Sequence, residues 1–330
     1  MPWIMSFVNT RLFFPVCWET TRNYRSRRRN STKIKSCSTL VTQCCESTNM
    51  NELSTRTRVS RRRSSSPDYH GIPNPPPGER LKLEDLRERL IRQEESIIFA
   101  LVERAQFMTN DVIYRPGGIE IPGFQGSFTE FLLCELEKGY ALVRRYTSPD
   151  EQAFFPDILP DPILPPLAYP KTIVPNTINI NSKIYDAYVK DIVPVICEKG
   201  DDQNYGSSAM YDVACLQAIS KRIHYGKFIA EAKFGENPSE YSKHIKKGDT
   251  DALYELLTDV QVEKRLERRV INKASAYGRD IDDSGALDTY KVEPQVIAEL
   301  YRKHIIPLTK QVEVLYLLQR LESGYLGHDI

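Results

Sequence analysis

Residues 207–234 read SSAMYDVACLQAISKRIHYGKFIAEAKF. Val213, Leu216, Ile219 and Ile223 recur three or four apart on one stripe, with no proline between them. That pattern is an amphipathic helix that needs a core to lie against. Two cations sit among its apolar residues, Arg222 and Lys233. On a continuous helix they are about 20° past three full turns from each other, on one face and about 16 Å apart along the axis. Cations on an otherwise apolar face point to a polar site shared between helices; the plainer alternative is that they are solvated charges.

Other helical stretches flank this one. Leu83, Leu86, Leu90, Ile97, Leu101 and Ala105 mark an amphipathic helix from Lys82 to about Phe107. Ser127 with Glu130 three residues on is a capping-box signal for a helix running to about Tyr146. Residues 149–180 carry eight prolines, too many for a helix or a central strand, so they form a long ordered or mobile loop. Helices are expected at 182–198, kinked at Pro194, then at 239–246 and 249–277, ended by Gly278. After an Asp-, Ser- and Gly-rich loop at 279–288, Pro294 suits the first turn of a last helix, which reaches about Leu321 with Pro307 inside. Tyr188-Val189-Lys190-Asp191-Ile192-Val193-Pro194 echoes Tyr301-Arg302-Lys303-His304-Ile305-Ile306-Pro307; chance and an old duplication are both open. No stretch alternates as a strand does. The fold class is all-α: a single multi-helix bundle domain of about eight helices, several of them long.

The 330 residues carry a formal net charge of +1, and that balance is uneven along the chain. Residues 1–67 hold 13 Lys and Arg against three acids, which leaves 32 bases and 41 acids, net −9, in 68–330. The leader is rich in Ser, Thr and Arg and holds no period, a composition typical of transit peptides; it reads as disordered. Arg27-Arg28-Arg29 and Arg61-Arg62-Arg63 could instead contact nucleic acid or act as nuclear signals. Gly71 to Gly78 reads as a stiff, Pro-rich linker within 68–80, followed by a folded body over 81–322 and a short tail over 323–330. No apolar run is long enough for a membrane-spanning helix. Cys134, Cys197 and Cys215 are too scattered for a metal site or a disulfide framework, and read as buried thiols.

Phosphate-loop, dinucleotide and zinc-protease signatures are absent, and the five histidines make no cluster. His224 reads as a packed histidine rather than a base. Asp259 and Glu263, and Thr309 and Glu313, are four apart and so share a helix face. Glu313 stands among Val312, Val314, Leu315, Leu317 and Leu318, and Arg87 lies on the polar side of the first helix.

Ser220 to Phe234 resembles the signature helix of the eukaryotic chorismate mutases, the all-helical enzymes of plants and fungi. The resemblance extends through Leu86 to Phe99, Pro122 to Phe128, Arg144 to Glu151 and Pro307 to Val314, in order, over about 81–322. It implies the Claisen rearrangement of chorismate to prephenate, in phenylalanine and tyrosine synthesis, without a metal or other cofactor. Such a reaction needs a held near-attack conformer and donors aimed at charge developing on the breaking ether oxygen.

The resemblance also implies roles. Arg87 and Arg222 match the arginines that hold the substrate carboxylates, and Lys233 the donor to the ether oxygen. Glu313 matches the glutamate facing that oxygen from the other side, which must be protonated to donate. Thr309 supports a carboxylate and Glu263 accepts from the ring hydroxyl. Asp259 stands where some members carry Asn, so it could accept there but not donate. Regulated members hold aromatic amino acids (Trp, Tyr or Phe) at a homodimer interface; the matching residues are Arg144, Arg145, Asn204, Gly206 and Ser207. Met210 replaces a Thr of one fungal member, removing a hydroxyl, and the tail extends beyond the usual end. Together these imply a regulated enzyme of the plastid stroma, with the cytosol as the alternative site. An unregulated enzyme and a catalytically silent helical amino-acid sensor or interaction module are the competing readings. A fluorescent fusion of residues 1–70 is expected to enter plastids; cytosolic or nuclear fluorescence would contradict the transit-peptide reading.

Overall fold

This computed structural model describes residues 72–75, 79–279 and 290–322. The leader, most of the linker, almost all of the 279–288 loop and the tail 323–330 lie outside the described residues. The described residues are helical and contain no strand; a single antiparallel bridge joins Arg279 to Tyr290. The all-α reading therefore stands, and no helix among these residues is long and apolar enough to cross a membrane.

Helix α1 (Leu83–Arg104) buries Leu86, Leu90, Ile97 and Leu101, the stripe expected from the sequence. It stops short of Phe107 because Arg104 turns its guanidinium onto the carbonyls of Phe107, Met108 and Thr109 at 3.1–3.2 Å, closing the helix end. Helix α2 (Phe128–Leu142) starts at the expected capping box: Ser127 Oγ accepts from the Glu130 amide and Glu130 Oε2 from the Ser127 amide. It ends before Tyr146, because Arg144 adopts a left-handed conformation with φ 70° and a 3₁₀ turn follows over Arg145–Thr147.

Helix α3 (181–196) and the last helix, here α9 (294–322), share one local device. In each, a π turn, Tyr188–Ile192 or Tyr301–Ile305, lies just before Pro194 or Pro307. Proline lacks an N–H and crowds the preceding turn, and the wider π turn absorbs both without ending the helix. The two echoing heptapeptides are thus the same π-turn–proline unit.

Two expected helices are each two. Residues 207–234 divide into α4 (Tyr205–His224) and α5 (Gly226–Glu236), where Tyr225 takes a tighter bond between Phe228 N and its own carbonyl at 3.1 Å. After α6 (Pro238–Lys247), residues 249–277 divide into α7 (Thr250–Leu257) and α8 (Val260–Tyr277). Thr258 is extended there, and Asp259 caps α8 by accepting from the amides of Gln261 and Val262 at 3.0 Å. The sequence carried that signal as an Asp at a possible N-cap.

Helices α1 and α4 run antiparallel. Arg104 at the end of α1 meets Asp212 early in α4 at 2.6 Å, and Leu86 and Leu90 pack with Tyr225 and Phe228 beyond its end. Helices α5 and α9 run in the same direction: Glu231 accepts from Tyr316 at 2.6 Å and from both arms of Arg320 at 2.7 and 2.9 Å. The proline-rich loop is held from below. Buried Glu137 accepts from the amides of Phe154 and Phe155 at 2.9 Å, and Tyr316 accepts from the Val174 amide at 3.0 Å. His224 is fully buried and accepts from the Ile180 amide at 3.1 Å; burial and the charge of Lys227 push its pKa down to about 3, so it is the neutral packed histidine expected. Cys134, Cys197 and Cys215 are buried free thiols.

Asp212 also accepts from Tyr114 and Tyr188 at 2.8 Å, so the fully buried Arg104–Asp212 pair is surrounded by donors. Asp212→Ala leaves that guanidinium without its counter-ion, which is expected to cost about 3–5 kcal/mol of unfolding free energy. Urea denaturation measures this; a loss under about 1 kcal/mol would show that the pair does not hold α1 to α4.

Candidate active site

A cavity of about 710 Å³ opens between α1, α5, α8 and α9, roofed by the break between α7 and α8. Every residue that the sequence put forward for the chemistry lines it: Arg87, Arg222, Lys233, Asp259, Glu263, Thr309 and Glu313. Arg222 and Lys233 meet there although the helix carrying them is broken at Tyr225. The effect of the break is local, and both side chains still reach α9.

Arg222 is buried at 4 % exposure, and its one hydrogen bond among the described residues runs from Nη1 to Thr309 Oγ1 at 3.4 Å. Its Nε is buried without a partner. Burial pulls the guanidinium below its usual pKa, while Tyr301, Glu94 and Glu313 act in the opposite direction. A buried guanidinium with donors to spare is chemically suited to an anion. Lys233 donates to the Leu257 carbonyl at 2.6 Å and to Glu313 Oε2 at 3.3 Å. Thr309 donates to the Ile305 carbonyl at 2.6 Å, which aims its oxygen toward Arg222. Arg87 stands at the rim, its side chain 43 % exposed and 3.9 Å from Glu84.

Glu313 is buried among the residues that the sequence placed around it. Burial pushes its carboxyl above the usual range, and Lys233, Arg222 and Lys310 hold it back. Its protonated form can donate a hydrogen bond, which a carboxylate cannot. Glu263 sits 2.5 Å from Lys310 Nζ. Asp259 is exposed, and the Val262 amide, with that of Gln261, keeps its carboxyl below the usual range.

Sequence reasoning missed Lys310, which also donates to Thr258 Oγ1 at 2.9 Å and lies over the Tyr254 ring at 4.8 Å. It missed Glu94, which lines the cavity fully buried and pairs with both arms of Arg269 at 2.6 and 2.8 Å. Glu94 is seven residues after Arg87 on the same face of α1, a signal that was available. Lys310 gave none, being the flank of Thr309.

The candidate effector residues do not meet within the chain. The Arg144 guanidinium donates to the Pro165 carbonyl. Arg145 pairs with Glu151 at 3.2 Å, which pairs in turn with Lys221 at 2.7 Å near the end of α4, and lies over the Tyr140 ring at 4.7 Å. Asn204, Gly206 and Ser207 are at the other end of α4, about 21 Å away at the helical rise.

Asp259 caps α8 at the edge of the cavity, and substitution measures that role. Asp259→Asn keeps the cap and is expected to leave stability within about 0.5 kcal/mol, whereas Asp259→Ala costs about 1 kcal/mol. Thermal or urea melts of both variants measure it; equal losses would show that capping is not what Asp259 contributes.

Residues 204–314 match the family described as chorismate mutase type II. The chain is 48 % identical over 246 residues to chloroplastic chorismate mutase 1 of Petunia hybrida, covering 73 % of this chain and 76 % of that one. A crystal structure of Aro7p chorismate mutase from Candida albicans in complex with L-Trp superposes with a TM-score of 0.70 at 45 % identity, covering 73 % of this chain and 92 % of that one. The crystal structure of AtCM1 with tyrosine bound in its allosteric site superposes with a TM-score of 0.68 at 49 % identity, covering 74 % and 98 %. With the site geometry described above, these likenesses place the chain in the all-helical chorismate mutase family of plants and fungi.

Proposed function

We propose that the cavity converts chorismate to prephenate, with Arg87 and Arg222 on the substrate carboxylates and Lys233 and Glu313 on either side of the breaking ether oxygen. The observation that carries this reading is Arg222: buried, with an unpartnered Nε and one 3.4 Å bond. Guanidinium forks bind carboxylates in two parallel hydrogen bonds, which fixes orientation as well as position. Two carboxylates gripped at separate points hold the flexible enolpyruvyl arm over the ring, in a near-attack conformer.

The rearrangement is unimolecular. One C–O bond breaks as one C–C bond forms, and no group leaves. Negative charge grows on the ether oxygen in the transition state, so a donor there binds the transition state more tightly than the substrate. Lys233 supplies a charged donor, and protonated Glu313 a neutral one. Thr309 supports a carboxylate beside Arg222. Glu263, held by Lys310, accepts from the ring hydroxyl, and Asp259 contributes an acceptor at the rim. No metal or other cofactor enters these steps.

Regulation by Trp, Tyr or Phe is the further part of the proposal. Relatives hold Trp, Tyr and Phe in solved structures, two of them in a named allosteric site. Arg144 and Arg145 would face Asn204, Gly206 and Ser207 only across two copies of the chain, because one copy keeps them at opposite ends of α4. Val143, Ile163, Leu164, Leu167 and Met210 are exposed apolar side chains, which favours a homodimer that covers them. The basic leader and the chloroplastic plant relatives favour a plastid location.

The test is prephenate formation by the purified chain across pH, with and without each aromatic amino acid. Activity should fall as pH rises through the Glu313 pKa, because the protonated form donates. Glu313→Gln keeps a donor that does not titrate, so it should stay active and flatten the alkaline limb. Glu313→Ala should lose about 3 kcal/mol of transition-state stabilisation, roughly a hundredfold in kcat, at every pH. Superimposable profiles for the parent and Glu313→Gln would show that the proton on Glu313 is not used, and no prephenate at all would favour a silent sensor.

A further inference from the structure

Gly226 opens α5 in ordinary helical conformation, so no left-handed turn explains the glycine. A Cβ built on it would stand 2.9 Å from the Thr309 carbonyl oxygen, 3.1 Å from Thr309 Cγ2 and 3.2 Å from Glu313 Cγ. The nearest of these atoms is main chain in α9, which cannot swing aside as a side-chain tip can. Gly235, in the same helix, is different: a Cβ there would meet only Arg80 Cδ at 3.6 Å, an ordinary contact. Residues 226, 230 and 233 follow one another at spacings of four and three, which puts them on one face of α5, and Arg222, just before the break, also reaches α9 through Thr309. That face carries Gly226, fully buried Ala230 and then Lys233, 3.3 Å from Glu313.

We propose that Gly226 is a positioning residue for the rearrangement: its missing side chain lets α5 lie directly on Thr309 and Glu313 of α9. The close approach sets the Lys233–Glu313 separation on one side of the glycine and the Arg222–Thr309 separation on the other. One methyl group at this point is a wedge between the two helices that carry the groups facing the ether oxygen. Glu313 would shift relative to Lys233, and its carboxyl would titrate in a changed surround. This inference rests on the reaction proposed above.

The experiment compares Gly226→Ala with Gly235→Ala in the full chain. Both exchange a helical glycine for the better helix former, so backbone propensity favours both alike. Gly226→Ala is expected to fold with the parental helical signal and to lose about tenfold to a hundredfold in kcat, with a smaller change in KM. Its alkaline limb should move by about half a pH unit or more. Gly235→Ala should keep the parental kcat and profile. Parental kinetics in Gly226→Ala overturn the proposal, as do equal losses in both variants. Failure of Gly226→Ala to fold overturns it too, since Gly226 would then be a packing residue. A parent chain that forms no prephenate sinks the reaction instead. The spacing is then read from the Glu313 carboxyl titration by carbon NMR, where a shift confined to Gly226→Ala supports the proposal and no shift overturns it.

Discussion

A charge taken out of water has to be answered, and two of the buried arginines of this bundle, Arg104 and Arg222, are answered in opposite ways. Arg104 has every arm occupied: Asp212, three main-chain carbonyls, Tyr114 and Cys197 all receive its donors. It joins α1 to α4 and closes the end of α1. Arg222, on the same α4, has a single weak bond to Thr309 and a bare Nε. The first arrangement is a finished interior. The second keeps an electrostatic deficit that a bound carboxylate removes.

Holding that deficit requires rigid surroundings. Helix α9 supplies Thr309, Lys310 and Glu313 to the cavity, and α5 is fixed along it by the Glu231 carboxylate, which grips Tyr316 and Arg320. Glu94 is neutralised by Arg269 and Lys273 rather than by Arg222, which leaves Arg222 free. The cluster therefore contains structural ion pairs at its edges and, in Arg222, an undersatisfied group in its middle. In a body with net charge −9, Arg87, Arg222 and Lys233 concentrate three cations at one cavity, where local field outweighs net charge.

Interruptions in the helices shape the site as much as the helices do. The break at Thr258 and Asp259 brings the Leu257 carbonyl and the Thr258 hydroxyl over the cavity, where they meet Lys233 and Lys310. The π turn at Tyr301–Ile305 allows one helix to pass Pro307 and still present Thr309 and Glu313. A regular rod would give a different phase to everything beyond the proline.

The apolar periods, the capping box at Ser127 and Glu130, and the uneven charge of the chain were legible in the sequence, because helix phase and caps depend on residues a few positions apart. That locality gave the helical class and most helix starts, and it singled out Arg222, Lys233 and Glu313 as polar groups on apolar stripes. Their proposed roles came from resemblance rather than from spacing. Helix ends at Arg104 and Leu142 and the break at Tyr225 were not legible, since the Arg104 guanidinium that closes α1 is held by Asp212, distant in sequence, whereas the break at Thr258 had a local signal in the Asp259 cap. The packing of helices alone decided that Lys310 faces Glu263, that Glu94 is matched by Arg269, and that Arg144 and Arg145 lie far from Asn204 and Ser207. A sequence states which residues can share a face of one helix, but the distance between faces of different helices is set by what fills the space between them.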